Sequence, residues 1–384
     1  MTKKLIIIGK GTAGCLAACH YARYWQGEIE WIYDPNMAAQ SVGEGSQISL
    51  PLMLYRNMNF NYSDLDSVDG TIKRGIRKIN WSKNGGDFFH NFVPPSVGIH
   101  FNAVKLQDYI LEWVKNNNQN ISIREDNICD QNADSDFILD CSGWNRNLDK
   151  FHKSSIPVNA ALVSQHPWSE PKYDYTFTIA RPYGWVFGIP LQNRFSLGYI
   201  FNKDINCQED ISKDLELVQQ EFGFEPQNTR YMEFLNYYRK KNYENNISYN
   251  GNCSFFLEPL EATSIHTMDF INKSSYDYFT GAVDEWVLNC RYQQWLEETE
   301  QLIMLHYLAG SKYQTEFWNH AKSQAEQCFT SSQTSKLKLF LDVYKRRAPE
   351  RYLEDFGSGW NIHSFRENLN KLQVVDTLEH LISP

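Results

Sequence analysis

LIIIGKGTAGCLAACHYARY, residues 5–24, decides the fold. Leu5 to Ile8 is a short β-rich run ended by Gly9, which predicts a buried parallel strand. Gly11 to Tyr24 then predicts a helix that opens on small residues (Ala13, Gly14, Ala17, Ala18). A second strand over 29–33 ends at Asp34-Pro35, which completes a βαβ unit. GKGTAG (9–14) fits G-x-G-x-x-G directly after a strand and at a helix start. Glycines there allow a tight turn, the approach of a pyrophosphate to backbone N–H groups, and close helix–strand contact. Asp34 lies 20 residues beyond Gly14, where an acid can bind a ribose hydroxyl. Gly9, Gly11, Thr12, Ala13, Gly14 and Asp34 are therefore expected to bind a dinucleotide.

Working outward, SVGEGS (41–46) reads as a loop, 48–58 and 100–115 as helices, and 116–135 as loop around a short strand. Phe137–Asp140 is a further strand closing on CSGW (141–144). Alternation through YTFTIA, GWVFGIP and FSLGYIF (175–201) predicts a sheet, and from Asp277 onward the period is helical. Two facts favour FAD over NAD: there is one fingerprint only, and DCSGW offers a second glycine turn to the same cofactor. The expected class is α/β, a single-fingerprint FAD-binding module, Rossmann-like and of the aromatic-hydroxylase type. It carries a β-sheet insertion (1–275), and a helical C-terminal substrate layer (276–384) packs on it as one structural unit.

The bulk composition bounds the function. A net charge of −9 with no basic run argues against nucleic acid or an anionic membrane as partner. Aromatic residues are 15 % of the chain, enough to supply core bulk or a ring-walled binding site. The eight cysteines (15, 19, 129, 141, 207, 253, 290, 328) show no C-x-x-C and no zinc spacing. They read as reduced thiols of a cytoplasmic-type protein without a metal site. The apolar run in MTKKLIIIGKG is too short for a signal peptide, and no segment approaches the length of a membrane span.

FLEPLEATSIH (256–266) places Glu258 and Glu261 around a proline in an apolar run. Pro259 suits a first helical turn and acids are favourable there, so helix capping would account for both. Thr263 and Ser264 could offer backbone N–H groups to an anion.

These stretches together resemble the flavin-dependent halogenases of the tryptophan-halogenase type. GKGTAG matches the family's GxGTAG start, and SVGEG (41–45) looks like its strap motif, with Val42, Gly43 and Glu44 beside the cofactor. TIKRGIRKINW (71–81) looks like the segment bearing the catalytic lysine. GWVFGIP (184–190) resembles WxWxIP, with Phe187 in place of the second tryptophan. FLEPLEATSIH matches the catalytic-glutamate segment with Ala262 where serine is usual, and LHYLAGSKYQTEFW (305–318) fits the HY…FW stretch. The chain is similar to a compact member such as a viral halogenase.

The resemblance implies that a separate flavin reductase supplies FADH₂, which with O₂ oxidises chloride, bromide or iodide to hypohalous acid. Lys73 would deliver the oxidant to an electron-rich aromatic molecule, an indole or a phenol, with Glu261 assisting deprotonation. Such roles suit a partly buried lysine and a nearby carboxylate. Thr263 and Ser264 would hold the halide, and Ile265 would lie at the cofactor. Trp185, Phe187, Ile189 and Pro190 would form the flavin-proximal motif, while Glu258, His266, His306 and Tyr307 would be structural. An aromatic monooxygenase or a non-catalytic flavin-binding protein are the competing expectations. Substrate, ring position and preferred halide stay open, as does a homo-oligomeric state.

Overall fold

The computed structural model describes residues 3–37, 44–117, 120–126, 135–143, 147–331, 335–350 and 353–382. The glycine-loop half is built on a six-stranded sheet. Its order is Tyr243–Glu244, Ile247–Tyr249, Phe137–Asp140, Lys4–Ile8, Glu28–Tyr33, Ile121–Glu125. All neighbours run parallel except the outer hairpin pair, Tyr243–Glu244 with Ile247–Tyr249. Burial on both faces explains why Leu5–Ile8 reads as continuous apolar residues rather than alternating ones. Helices α1 (Thr12–Tyr24), α2 (Ser49–Met58) and α3 (Ala103–Asn117) belong to this half, and Leu16, Leu54 and Ile110 join its core. The first of the two stretches expected to be helical matches α2; the second begins as the strand Gly98–Phe101 before α3.

The inserted sheet has seven strands in the order Arg230–Glu233, Ala160–Pro167, Arg194–Phe201, Gly184–Pro190, Thr176–Arg181, Gly75–Trp81, Gly86–Asn91. Its pairs are antiparallel except Thr176–Arg181 with Gly75–Trp81. One face is covered by α4 (Gln208–Glu221), whose Ile211, Leu215 and Val218 pack on Phe195 and Leu197. The other face carries Trp81, Trp185 and Phe187 into a larger core with the C-terminal helices. These are α5 (Thr263–Thr280), α6 (Glu285–Ala309), α7 (Glu316–Ser331), α8 (Ser335–Tyr344), α9 (Ile362–Leu372) and α10 (Val375–Ile382). Helical structure therefore starts at Thr263, ahead of the expected Asp277.

A small third sheet joins Glu44–Gly45, Gly98–Phe101 and Thr71–Lys73. The chain passes from it into the seven-stranded sheet at Arg74-Gly75. A Cβ on Gly75 would lie 2.3 Å from the His90 carbonyl oxygen, so only glycine fits this corner. No helix among the described residues is long and apolar enough to cross a membrane, and none of their His, Cys, Asp and Glu side chains group as a metal site.

Candidate active site

The strand Gly75–Trp81 sets one side of the site. Alternation puts Ile76 and Lys78 in the interior, while Arg77 ion-pairs with Asp87 at the surface. A bulge between Ile79 and Trp81, with Asn80 at φ 62°, returns Trp81 to the buried side.

The opposite side is the segment preceding α5. Glu261 (φ 66°) and Ala262 (φ 54°) are consecutive left-handed residues, so Glu261 lies outside the regular helix rather than in its first turn. Each such residue costs roughly 1–2 kcal/mol, and the surroundings must hold it in place. Gln47 contributes by donating through Nε2 to the Glu261 carbonyl at 2.9 Å.

Lys78 and Glu261 converge between the sheet and α6. Lys78 Nζ lies 2.5 Å from Glu261 Oε1 and also donates to His306 Nε2 at 2.8 Å and Asn368 Oδ1 at 2.6 Å. An ammonium has three N–H bonds, and three acceptors face this one. His306 Nε2 also lies 3.2 Å from Glu261 Oε1, and its Nδ1 is 3.2 Å from the Leu302 carbonyl oxygen. Glu261 Oε2 accepts from Trp360 Nε1 at 2.8 Å, with His90 Nδ1 3.9 Å away. Lys78 also lies 5.2 Å from the Trp360 ring centroid and 5.9 Å from that of Phe88. Lys78, Glu261, His306, Asn368 and Trp360 are all buried.

Charge settles on this pair. Burial raises the Glu261 carboxyl, but the Lys78 ammonium and His306 outweigh it and hold the group well below the usual range. Burial lowers His90 to about 3, and it lowers His306 as well, so both rings are neutral near pH 7. A cavity of about 80 Å³ opens above Glu261, lined among others by Gln47, Ile48, His90, Phe92 and Trp360.

The structure places Lys73 apart from this contact, on the small sheet. Its ammonium is buried 5.6 Å from the Phe92 centroid and 3.4 Å from where a Cβ on Gly45 would lie. It has no hydrogen bond or ion pair among the described residues. Burial lowers it to about 8, with Glu261 pulling upward and Lys78 downward. The sequence alone assigns Lys78 no role and His306 a structural one, and it singles out neither Asn368 nor Trp360. The available signal was the alternation of Ile76 and Lys78 on one strand face.

The remaining expected residues fall into groups. Gly9 and Gly14 are close-packing positions: a Cβ on Gly9 would sit 2.4 Å from the Cys141 carbonyl oxygen, and one on Gly14 would sit 2.0 Å from that of Gly9. Gly11 and Gly143 instead have open space where a side chain would be. Thr12 and Ala13 begin α1, and Asp34 follows the second strand with Oδ1 accepting from the Asn36 backbone at 2.8 Å. This open cradle at the ends of two parallel strands fits a dinucleotide. Glu44 accepts from the Ala103 backbone N–H at 3.0 Å, at the start of α3; Val42 and Gly43 lie outside the described residues. Ile265 packs in the core of the glycine-loop half.

At the start of α5, the Thr263 hydroxyl is buried without a partner among the described residues, Ser264 follows it, and none of their side chains caps the helix. An uncapped start beside a free hydroxyl fits a small anion. Trp185 Nε1 donates to Glu258 Oε2 at 3.0 Å, and Tyr307 hydroxyl donates to the same oxygen at 2.9 Å. Burial pushes Glu258 up to about 8, and its Oε1 has no partner among the described residues. Phe187 covers Gly198, where a Cβ would lie 2.1 Å from the ring; Ile189 is buried, and Pro190 accepts from the Thr71 hydroxyl at 2.6 Å.

Comparison with known proteins identifies relatives of the whole fold. The family profile described as tryptophan halogenase matches residues 4–131 and 122–372. A tryptophan 7-halogenase of Lentzea aerocolonigenes is 23 % identical over 93 % of this chain and 87 % of its own length. A tryptophan 6-halogenase of Streptomyces toxytricini is 25 % identical over 50 % of this chain, and the match spans only 39 % of that relative's length. Among solved structures, a tryptophan halogenase of Shewanella frigidimarina superposes with a TM-score of 0.81 at 19 % identity, covering 99 % of this chain and 93 % of that one. At that identity the likeness concerns the fold.

Proposed function

The chain belongs to the tryptophan halogenase family, and from that premise we propose that it is a flavin-dependent halogenase acting on an electron-rich aromatic molecule. The observation that carries this reading is the buried Lys78–Glu261 contact under a ring-lined cavity. Bound FAD, reduced by a separate flavin reductase, would with O₂ and a halide supply hypohalous acid. The glycine loop and Asp34 would hold the dinucleotide, and the start of α5 at Thr263 and Ser264 would hold the halide.

Lys78 takes the delivery role because it alone meets Glu261. It holds the oxidant's oxygen by exchanging one of its acceptors, Asn368 or His306. The aromatic carbon bonds to the halogen as the halogen–oxygen bond breaks. The departing hydroxide takes a proton from Lys78 and leaves as water. Glu261, ionised at neutral pH, accepts the proton from the ring carbon. The short contact between the two then returns that proton to Lys78. Lys73, beside Gly45 and behind Phe92, is assigned to the approach between the strap and this pair. Trp185 and Phe187 keep bulk between cofactor and substrate.

The test combines purified protein, FAD, a flavin reductase, NADH, O₂ and halide, with indoles and phenols followed by mass spectrometry. Halogenated product that disappears in Lys78→Met, with FAD binding retained, supports the reading. Hydroxylated product independent of halide would instead make the protein a monooxygenase.

A further inference from the structure

We propose that the ring halogenated here belongs to a larger, uncharged, apolar molecule, whose remainder lies in the surface depression beside the active-site mouth. This rests on the halogenase reading and names its substrate class: an indole or phenol bearing an alkyl or aryl arm.

The cavity above Glu261 is small, about 80 Å³, and Glu261 is the one carboxylate in its lining among the described residues. That carboxylate is committed to Lys78 and Trp360. Among the described residues the lining itself holds no lysine or arginine, Lys78 adjoining it only through its contact with Glu261, and His90 is neutral because burial lowers it to about 3. The carboxylate of a free amino acid would meet no cation within that lining, and its ammonium no free anion. Burying either unpaired is costly.

Ile48 and Ser96 line this cavity and also a second depression of about 340 Å³. Among the described residues the second depression has no charged residue in its lining, which includes Pro51, Leu52, Tyr55, Tyr62 and Val97. Leu52 is 50 % exposed, Tyr55 59 % and Tyr62 61 %, so a contiguous apolar surface lies open at the mouth. A patch of this kind rimmed by tyrosine hydroxyls marks a binding surface. Its continuity with the mouth through Ile48 and Ser96 makes the arm of the reacting molecule its occupant.

The experiment compares indole with 3-hexylindole on the full chain, in wild type and in Leu52→Glu and Tyr55→Glu. Both positions are solvent-facing, so folding is retained. Wild type should bind 3-hexylindole about tenfold or more tightly than indole by calorimetry, because methylenes leave water in the groove. Each variant should remove most of that gain while moving the affinity for indole less than about twofold. Equal binding of the two probes, or a variant that weakens both alike, overturns the proposal. Calorimetry needs no turnover: binding preference without halogenated product would sink the catalytic reading and keep the groove. Halogenated indole without the preference would do the reverse.

Discussion

Lys78 and Glu261 meet at 2.5 Å, while Lys73, five positions earlier on a different sheet, has no partner among the described residues. A corner at Gly75 separates the two lysines, and strand alternation turns Lys78 towards α6. In the proposed delivery step the lysine's proton is replaced from a neighbouring acid. Lys78 has that neighbour.

The two lysines can be told apart by rate. Lys78→Met should lower halogenation by about a thousandfold or more, whereas Lys73→Met should lower it by about tenfold. Initial rates by mass spectrometry, with FAD affinity as a folding control, check this. The opposite ranking would return delivery to Lys73.

As a buried pair, Lys78 and Glu261 should behave as one unit in stability. Removing one partner strands the other's charge at a cost of roughly 3–5 kcal/mol. Lys78→Met and Glu261→Gln should each lower the melting temperature, and the double variant should lie well above the sum of the two losses. Additive losses in thermal denaturation would mean that the two charges are not coupled.

Trp360→Phe keeps a ring beside Lys78 and removes the N–H that Glu261 Oε2 accepts. Losing a hydrogen bond to the ionised form raises the carboxyl pKa. The acidic limb of kcat/KM against pH should therefore move to higher pH, with a rate loss of about tenfold at neutral pH. An unmoved limb would exclude Trp360 as a positioning residue for Glu261.

Glu258 links stability to pH. Burial raises it from 4.5 to about 8, so between those values the folded chain keeps a proton that the unfolded chain has released. Stability from this group therefore falls as pH rises from 4.5 and levels off above about 8. Glu258→Gln cannot ionise, so its advantage over wild type should grow across that window and plateau beyond it. Melts at pH 5, 7 and 9 read this directly; a gap independent of pH would mean Glu258 keeps an ordinary carboxylate pKa.

The glycine-loop half was legible because its signals are local. A short apolar run, glycines at fixed spacing and an acid 20 residues on describe one compact unit. Glu261 stands out by its motif and the structure puts it beside Lys78, although helix capping competes for it in the sequence and the two left-handed residues 261 and 262 cannot be seen there. Lys78 was hidden by its neighbours: among Arg74, Arg77 and Lys73 a lysine reads as solvated until strand pairing shows which face it takes. Asn368 and Trp360 were hidden more deeply. Their part in the site comes from packing α9 and the turn before it against a strand near position 78, and no local pattern encodes that contact.

Order of synthesis gives that packing a further meaning. Asn368 and Trp360 emerge after every other member of the site, so a nascent chain still lacking them holds Lys78 and Glu261 short of their last two hydrogen-bond partners. The contact between Lys78 and Glu261 therefore gains these two partners only after a segment far downstream of both has been made, so the pair is assembled late whichever of its members folds first.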